Sequence, residues 1–114
     1  MNDSDIPILN KAYELYKTFH LYRLKVPKHD RHTIYEKAER TILDFIEYTY
    51  HASYTQGTGK TVLLQKASAK LNMLRLLVRL MKDIKTLQTK QYIILEQLID
   101  NTGQQLGGWI RSSR

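Results

Sequence analysis

The sequence has no cysteine, which excludes disulfides, thiolate zinc sites and a cysteine nucleophile and leaves no trace of redox compartment. Proline and glycine are scarce. Only two prolines and five glycines punctuate 114 residues, and four of those glycines sit in two places, Gly57 with Gly59 and Gly107 with Gly108. The uninterrupted stretches that remain suit helices. No apolar run approaches the roughly 18 residues of a membrane span, and Met1-Asn2-Asp3-Ser4-Asp5 lacks the basic and then apolar character of a secretory signal. A cytoplasmic protein with no membrane contact is the expectation.

Chemistry-bearing groupings are equally sparse. Gly57-Thr58-Gly59-Lys60-Thr61 imitates the end of a phosphate-binding loop, but that motif needs a glycine where Tyr54 stands and a preceding strand. His29 and His32 lie three apart, with only Asp30, His20 or His51 as further ligands; a polar turn explains them better than a metal. No Ser/His/Asp grouping, glycine elbow or carboxylate pair offers a catalytic residue. The chain is expected to be no enzyme and to carry no cofactor.

What is present is an ordinary globular composition, 42% apolar and 25% charged, in 13.5 kDa. That is enough for one core, so residues 1–114 read as one domain. Four amphipathic segments divide it. The first runs from about Ile6 to Leu24, with Asp5 as N-cap, Pro7 in the first turn and Ile8, Ala12, Leu15, Tyr16, Phe19 and Tyr22 on one face. Pro27 then disfavours helix at Val26, and Lys28-His29-Asp30 reads as a turn. The second runs from about Asp30 to Tyr54, with Thr33 and Glu36 at capping-box spacing and Asp30 as a competing cap. Thr55-Gln56-Gly57-Thr58-Gly59 reads as an exposed, mobile loop.

The third segment, about Lys60 to Leu87, has more apolar circumference than one buried face needs. Leu63, Ala67, Leu71, Leu74, Leu77, Val78 and Met81 form one stripe, while Val62, Met73, Leu76, Leu80 and Leu87 lie well round from it. At about 100° per residue the combined arc is roughly 240°. A second buried surface follows, and self-association through Met73, Leu76, Leu80 and Leu87 is the expected source, since a small bundle encloses no helix completely.

The fourth segment, about Lys90 to Ile110, contains Gly103, Gly107 and Gly108. Gly103 and Gly107 share a side, where missing side chains permit close approach; Gly107-Gly108 equally fits a helix stop with Trp109 folding back. Short connections predict an all-α fold, an antiparallel up-down four-helix bundle.

The 18 Lys plus Arg against 11 Asp plus Glu leave a net charge of +7, a field that attracts nucleic acid or an acidic protein. Arg75, Arg79 and Lys82, at spacings of four and three, form a cationic stripe with Asp83 the single nearby acid in sequence. It suits phosphate contacts, or else is a solvated helix face. The eight tyrosines read as core or interface packing rather than base-stacking platforms.

Pro27-Lys28 with Arg31, Leu71, the run Leu74-Arg75-Leu76-Leu77-Val78-Arg79-Leu80, Tyr92, and Gly103 followed by Leu106-Gly107-Gly108-Trp109 together resemble the accessory variability proteins of diversity-generating retroelements. The resemblance spans nearly the whole chain. It implies a homopentameric, barrel-like ring whose basic surface binds a reverse transcriptase and its template RNA. Arg75 and Arg79 match the family's basic positions, Lys82 continues the stripe, and Lys28 and Arg31 match the loop motif. The alternative is a structural oligomerisation module that grips an acidic protein partner.

Overall fold

The structure is a computed structural model that describes residues 7–113; the expected Asp5 cap lies outside them. Four long helices, α1 (Pro7–Leu21), α3 (Ile34–Ser53), α4 (Gly57–Asp83) and α5 (Thr89–Ser112), are joined by short connections, with a one-turn helix α2 (Lys28–Arg31) between α1 and α3. No strand occurs among the described residues. Helix α3 packs most extensively on α4, α4 on α5, and α1 on both α3 and α5. The four long helices therefore enclose one core in a body 43 Å long and 20 Å across.

Periodicity dictates this arrangement. Ile8, Ala12, Leu15 and Phe19 of α1, Tyr35, Ala38, Ile42 and Phe45 of α3, Leu64, Ala67, Leu71, Leu74, Val78 and Met81 of α4, and Leu95, Ile99, Thr102 and Leu106 of α5 are all buried, each at spacings of three and four. Of the eight tyrosines, Tyr35 is buried, and Tyr16, Tyr22, Tyr48 and Tyr92 pack against the core. Tyr13, Tyr50 and Tyr54 stay exposed.

The connections differ from the sequence reading, each for a local reason. Arg23–Lys25 form a 3-10 turn after α1, and Val26 is extended before Pro27 as the proline requires. The second segment is not one helix. Its start is α2, and the expected Thr33–Glu36 capping box does not form, because the Thr33 hydroxyl donates back to the carbonyls of His29 (3.3 Å) and Asp30 (3.4 Å). The expected five-residue loop shrinks to Thr55-Gln56, since Gly57 enters α4 at φ 69°, where a side chain is disfavoured. Gly107 and Gly108 do not stop α5, which runs on to Ser112. Its start is a reciprocal cap: the Gln88 side chain accepts from the Gln91 backbone, and the Gln91 side chain accepts from the Gln88 N–H at 3.0 Å.

Helix α4 ends four residues earlier than its apolar pattern predicts. Thr86 N–H donates to Met81 O (2.8 Å) and Lys85 N–H to Lys82 O (3.1 Å), the paired bonds of a Schellman motif. The left-handed position is held by Lys85, at φ 65°, not by glycine. Lys85→Gly is expected to raise stability by about 1 kcal/mol, read as a higher urea midpoint with an unchanged slope. The reversal also turns Leu87 inward. It is 3% exposed and part of the chain's own core, so it does not belong with the outward residues of α4; beyond Asp83 the helical angle that placed it there no longer applies.

Candidate nucleic-acid and partner interface

Met73, Leu76 and Leu80 do point outward, at 43%, 60% and 43% exposure, with Ile84 at 51% continuing the row. Helix α4 thus carries two apolar faces, one buried in the bundle and one open.

Arg75, Arg79 and Lys82 lie along the flank of α4 that faces α5, but they are not equivalent. The Arg75 guanidinium pairs with the Asp100 carboxylate of α5. Gly103 makes room for it: a Cβ there would stand 2.7 Å from Arg75 Nη2 and 3.5 Å from Leu71 Cδ2. The close approach that this glycine permits is therefore by a side chain lying across α5. Lys82 sits over the Tyr92 ring at 4.7 Å and within 3.8 Å of Asp83. The Tyr92 hydroxyl donates to Glu96, and that bond, reinforced by partial desolvation, raises its pKa above the ordinary value. Arg79 makes no ion pair among the described residues and lines a small cleft with Tyr92 and Glu96. The stripe is thus opposed by Asp83, Glu96 and Asp100, and its local excess of charge largely disappears. Counting acids along α4 alone misses this, because two of the three come from α5.

The excess charge lies at one end of the bundle instead. The Thr86 hydroxyl donates to Asp30 Oδ2 at 2.8 Å, which ties α2 to the connection between α4 and α5. That contact brings two basic segments together: Arg23, Lys25, Lys28 and Arg31 from one, and Lys82, Lys85 and Lys90 from the other. Two of these cations have internal work. Arg31 holds the connection after α1, its Nε donating to Val26 O (3.0 Å) and Nη2 to Leu24 O (3.1 Å), and Arg23 lies 3.9 Å from Glu39. Lys25, Lys28, Lys85 and Lys90 are exposed and make no ion pair among the described residues. Asp30 and Asp83 are the acids in these two segments, and Asp30 is already engaged by Thr86 and by His29 at 3.5 Å. Sequence alone points to Lys28, Arg31 and Lys82 but not to Lys25, Lys85 and Lys90, whose signal is the excess of basic over acidic residues in the two segments.

The arrangement offers a cluster of exposed ammonium groups at one end of the bundle, suited to a polyanion rather than to a shaped small molecule. No group of three or more His, Asp or Glu side chains is placed to hold a metal among the described residues. No helix among them is long and apolar enough to cross a membrane.

A sequence model described as bAvd-like matches residues 7–113, nearly the whole chain. The chain belongs to the bAvd-like family. No curated protein matches it. The family is one of accessory proteins of diversity-generating retroelements, accessory rather than catalytic, and the residues that carried the resemblance fall inside the matched span.

Proposed function

We propose that this chain is a non-enzymatic accessory subunit that self-assembles and binds the template RNA and reverse transcriptase of a diversity-generating retroelement. The supporting observation is the basic bundle end, where Lys25, Lys28, Lys85 and Lys90 stand without counter-charges on connections locked together by Thr86 and Asp30. In this reading the four long helices form an antiparallel up-down bundle, and copies join into a ring, a pentamer on the family resemblance, through the open face of α4. Rotational symmetry about an axis along the bundles places every basic end on the same rim. One copy offers a handful of cations; a ring offers a continuous track for a phosphate backbone. Arg79 and Lys82, one to two turns from that rim, extend the track along the side.

The test is RNA binding as a function of salt together with recovery of the polymerase. Binding to a structured RNA is expected to be firm at about 50 mM salt and to fall by roughly 10³-fold or more by 200 mM, as for six or more phosphate contacts. A tagged chain should also recover the reverse transcriptase. Negligible RNA binding at low salt with no polymerase recovered defeats the proposal. If an acidic protein were the partner instead, Arg75→Glu with Arg79→Glu would abolish that protein's binding and leave RNA binding unchanged.

A further inference from the structure

At the basic end of the bundle almost nothing can stack bases. Among the described residues the exposed tyrosines are Tyr13, Tyr50 and Tyr54. Tyr50 and Tyr54 stand at the end of α3 remote from α2, and Tyr13 lies about two turns short of the end of α1. Both phenylalanines are buried, and Trp109 sits in the last turn of α5. Tyr22 packs against the core, and the Tyr92 ring is covered by Lys82 at 4.7 Å. His29 is held 3.5 Å from Asp30, which leaves the imidazole of His32; one small ring is no platform for successive bases. The guanidinium planes are engaged as well, Arg31 on the carbonyls of Leu24 and Val26 and Arg23 beside Glu39.

The two basic segments are also fastened to each other, through one residue pair. Helix α2 is a single turn that buries no side chain, too short to hold its own place. Arg31 binds it to the turn that carries Lys25. Toward the connection between α4 and α5, its one hydrogen bond among the described residues is the one that Asp30 Oδ2 accepts from the Thr86 hydroxyl. Thr86 is 3% exposed, so its hydroxyl needs a protein partner. The bond holds Lys25 and Lys28 in register with Lys85, which adjoins Thr86, and with Lys90. Of the neighbouring acids, Glu36 lies 3.6 Å from Arg40 and Glu39 3.9 Å from Arg23, and Asp83 lies 3.8 Å from Lys82; Asp30 is the acid that joins the two segments.

We infer that the basic end is a preset clamp for the backbone of base-paired, helical RNA, and that Asp30, an acid within a site for a polyanion, is a positioning residue for it. This rests on the RNA binding proposed above and names the form of the RNA. A fixed array of cations matches phosphates whose own spacing is fixed, as along an A-form helix, which is recognised through shape and backbone. A flexible single strand follows the lysines wherever they stand and gains little from their being held. Sites that select single strands add stacking rings, which this end lacks.

Binding of an RNA hairpin and of an unstructured oligouridine with equal numbers of phosphates, measured between about 50 and 200 mM salt, tests it. The unaltered chain should favour the hairpin by about tenfold or more. Thr86→Val removes the hydroxyl at constant shape and charge. It is expected to weaken hairpin binding about 10- to 100-fold and to lower the slope of log affinity against log salt by about 1–2, as one or two phosphate contacts fall out of register. Oligouridine binding should change less than about threefold, and Thr86→Ser, which keeps the hydroxyl, should match the unaltered chain with both RNAs. Asp30→Asn and Asp30→Ala each remove one negative charge, which by charge alone strengthens RNA binding equally. Asparagine still accepts from Thr86 and alanine does not. Asp30→Asn should therefore bind the hairpin at least as tightly as the unaltered chain, and Asp30→Ala about tenfold less tightly than Asp30→Asn. Circular dichroism and urea midpoints identify any variant that fails to fold, and the two Asp30 substitutions decide the matter if Thr86→Val is one. Equal gains from both Asp30 substitutions, or equal losses for hairpin and oligouridine in Thr86→Val, overturn the clamp and leave RNA binding standing. So does an unaltered chain that binds oligouridine as tightly as the hairpin. An unaltered chain that binds neither RNA at low salt defeats the proposed function together with the clamp.

Discussion

Phe19→Ala is expected to remove about 3–5 kcal/mol of folding stability, measured as a lowered urea midpoint with little change in slope. Phe19 is fully buried and stacks on Tyr35 of α3, with ring centroids 4.3 Å apart and planes 8° from parallel. The Tyr35 hydroxyl donates to the Phe19 carbonyl, so the ring pair and the hydrogen bond together clamp the end of α1 to the start of α3. Truncation leaves a cavity walled by a large aromatic that cannot collapse into it. Against a total of about 5–15 kcal/mol for an ordinary domain, the loss takes the chain to the edge of unfolding.

Tyr35→Phe separates the two components. It keeps the stacking and removes only the hydrogen bond, at a cost of about 1 kcal/mol, because the Phe19 carbonyl still accepts from Tyr22 N–H at 3.0 Å. The same change should flatten the alkaline limb of stability. Burial, with the nearby Glu39 carboxylate adding to it, pushes the Tyr35 hydroxyl well above its ordinary value of 10.0. Below that value the hydroxyl is neutral in both states and its contribution is complete. Above it the unfolded chain releases the proton and the folded chain does not, so stability falls as pH rises, by about 1.4 kcal/mol per unit for one such group. Tyr16, Tyr22 and Tyr92 are raised as well, so the slope should be reduced by Tyr35→Phe and not abolished.

Helix existence was legible because it depends on periodic burial, and the apolar core residues from Ile8 to Phe19 of α1 and from Tyr35 to Phe45 of α3 follow the three-and-four spacing. Boundaries were less legible wherever a residue acted against its usual statistics. Glycine reads as punctuation at Gly57–Gly59 and as either a stop or a close-approach site at Gly107-Gly108, yet the first pair opens α4 and the second lies within α5. Conversely, Lys85 supplies a left-handed stop that is ordinarily a glycine's, and so the reading carried α4 through to Leu87. The open face of α4 was visible because an arc of apolar residues too wide for one contact is a property of the helix alone. A groove that faces outward between α1 and α3 was not, since its walls, Leu43 and Leu21, come together only when two distant segments pack.

Electrostatics divide the same way. Lysines on one helix can be counted in sequence, but Asp100 stands 25 residues from Arg75, and its pairing appears only when α4 and α5 lie side by side. Gly103 is the one local sign of it, an unexplained gap in a helix face that turns out to hold a guanidinium. A charge stripe is thus a hypothesis about its neighbours as much as about itself.

Opposed and unopposed cations should therefore differ sharply in their effect on RNA binding. Lys28→Gln, Lys85→Gln and Lys90→Gln together are expected to weaken RNA binding about 10²- to 10³-fold at 0.1 M salt and to lower the slope of log affinity against log salt by about 2–3, since each lost phosphate contact accounts for roughly 0.7–0.9 of it. Arg75→Gln should change either quantity far less, because its charge is already opposed by Asp100 in the free chain. Arg79→Gln, with no ion pair among the described residues, should fall between them at about tenfold. Filter-binding titrations at four or five salt concentrations give both readouts. All these lysines are exposed, so unchanged urea midpoints are expected and would assign the loss to binding; Lys85→Gln keeps the left-handed strain as it was. Were Arg75→Gln to prove the most damaging, the RNA would have to break the Arg75–Asp100 pair on binding, and the site would move from the end of the bundle to the cleft between α4 and α5, where Arg75, Asp100 and Gly103 already line an opening of about 420 Å³.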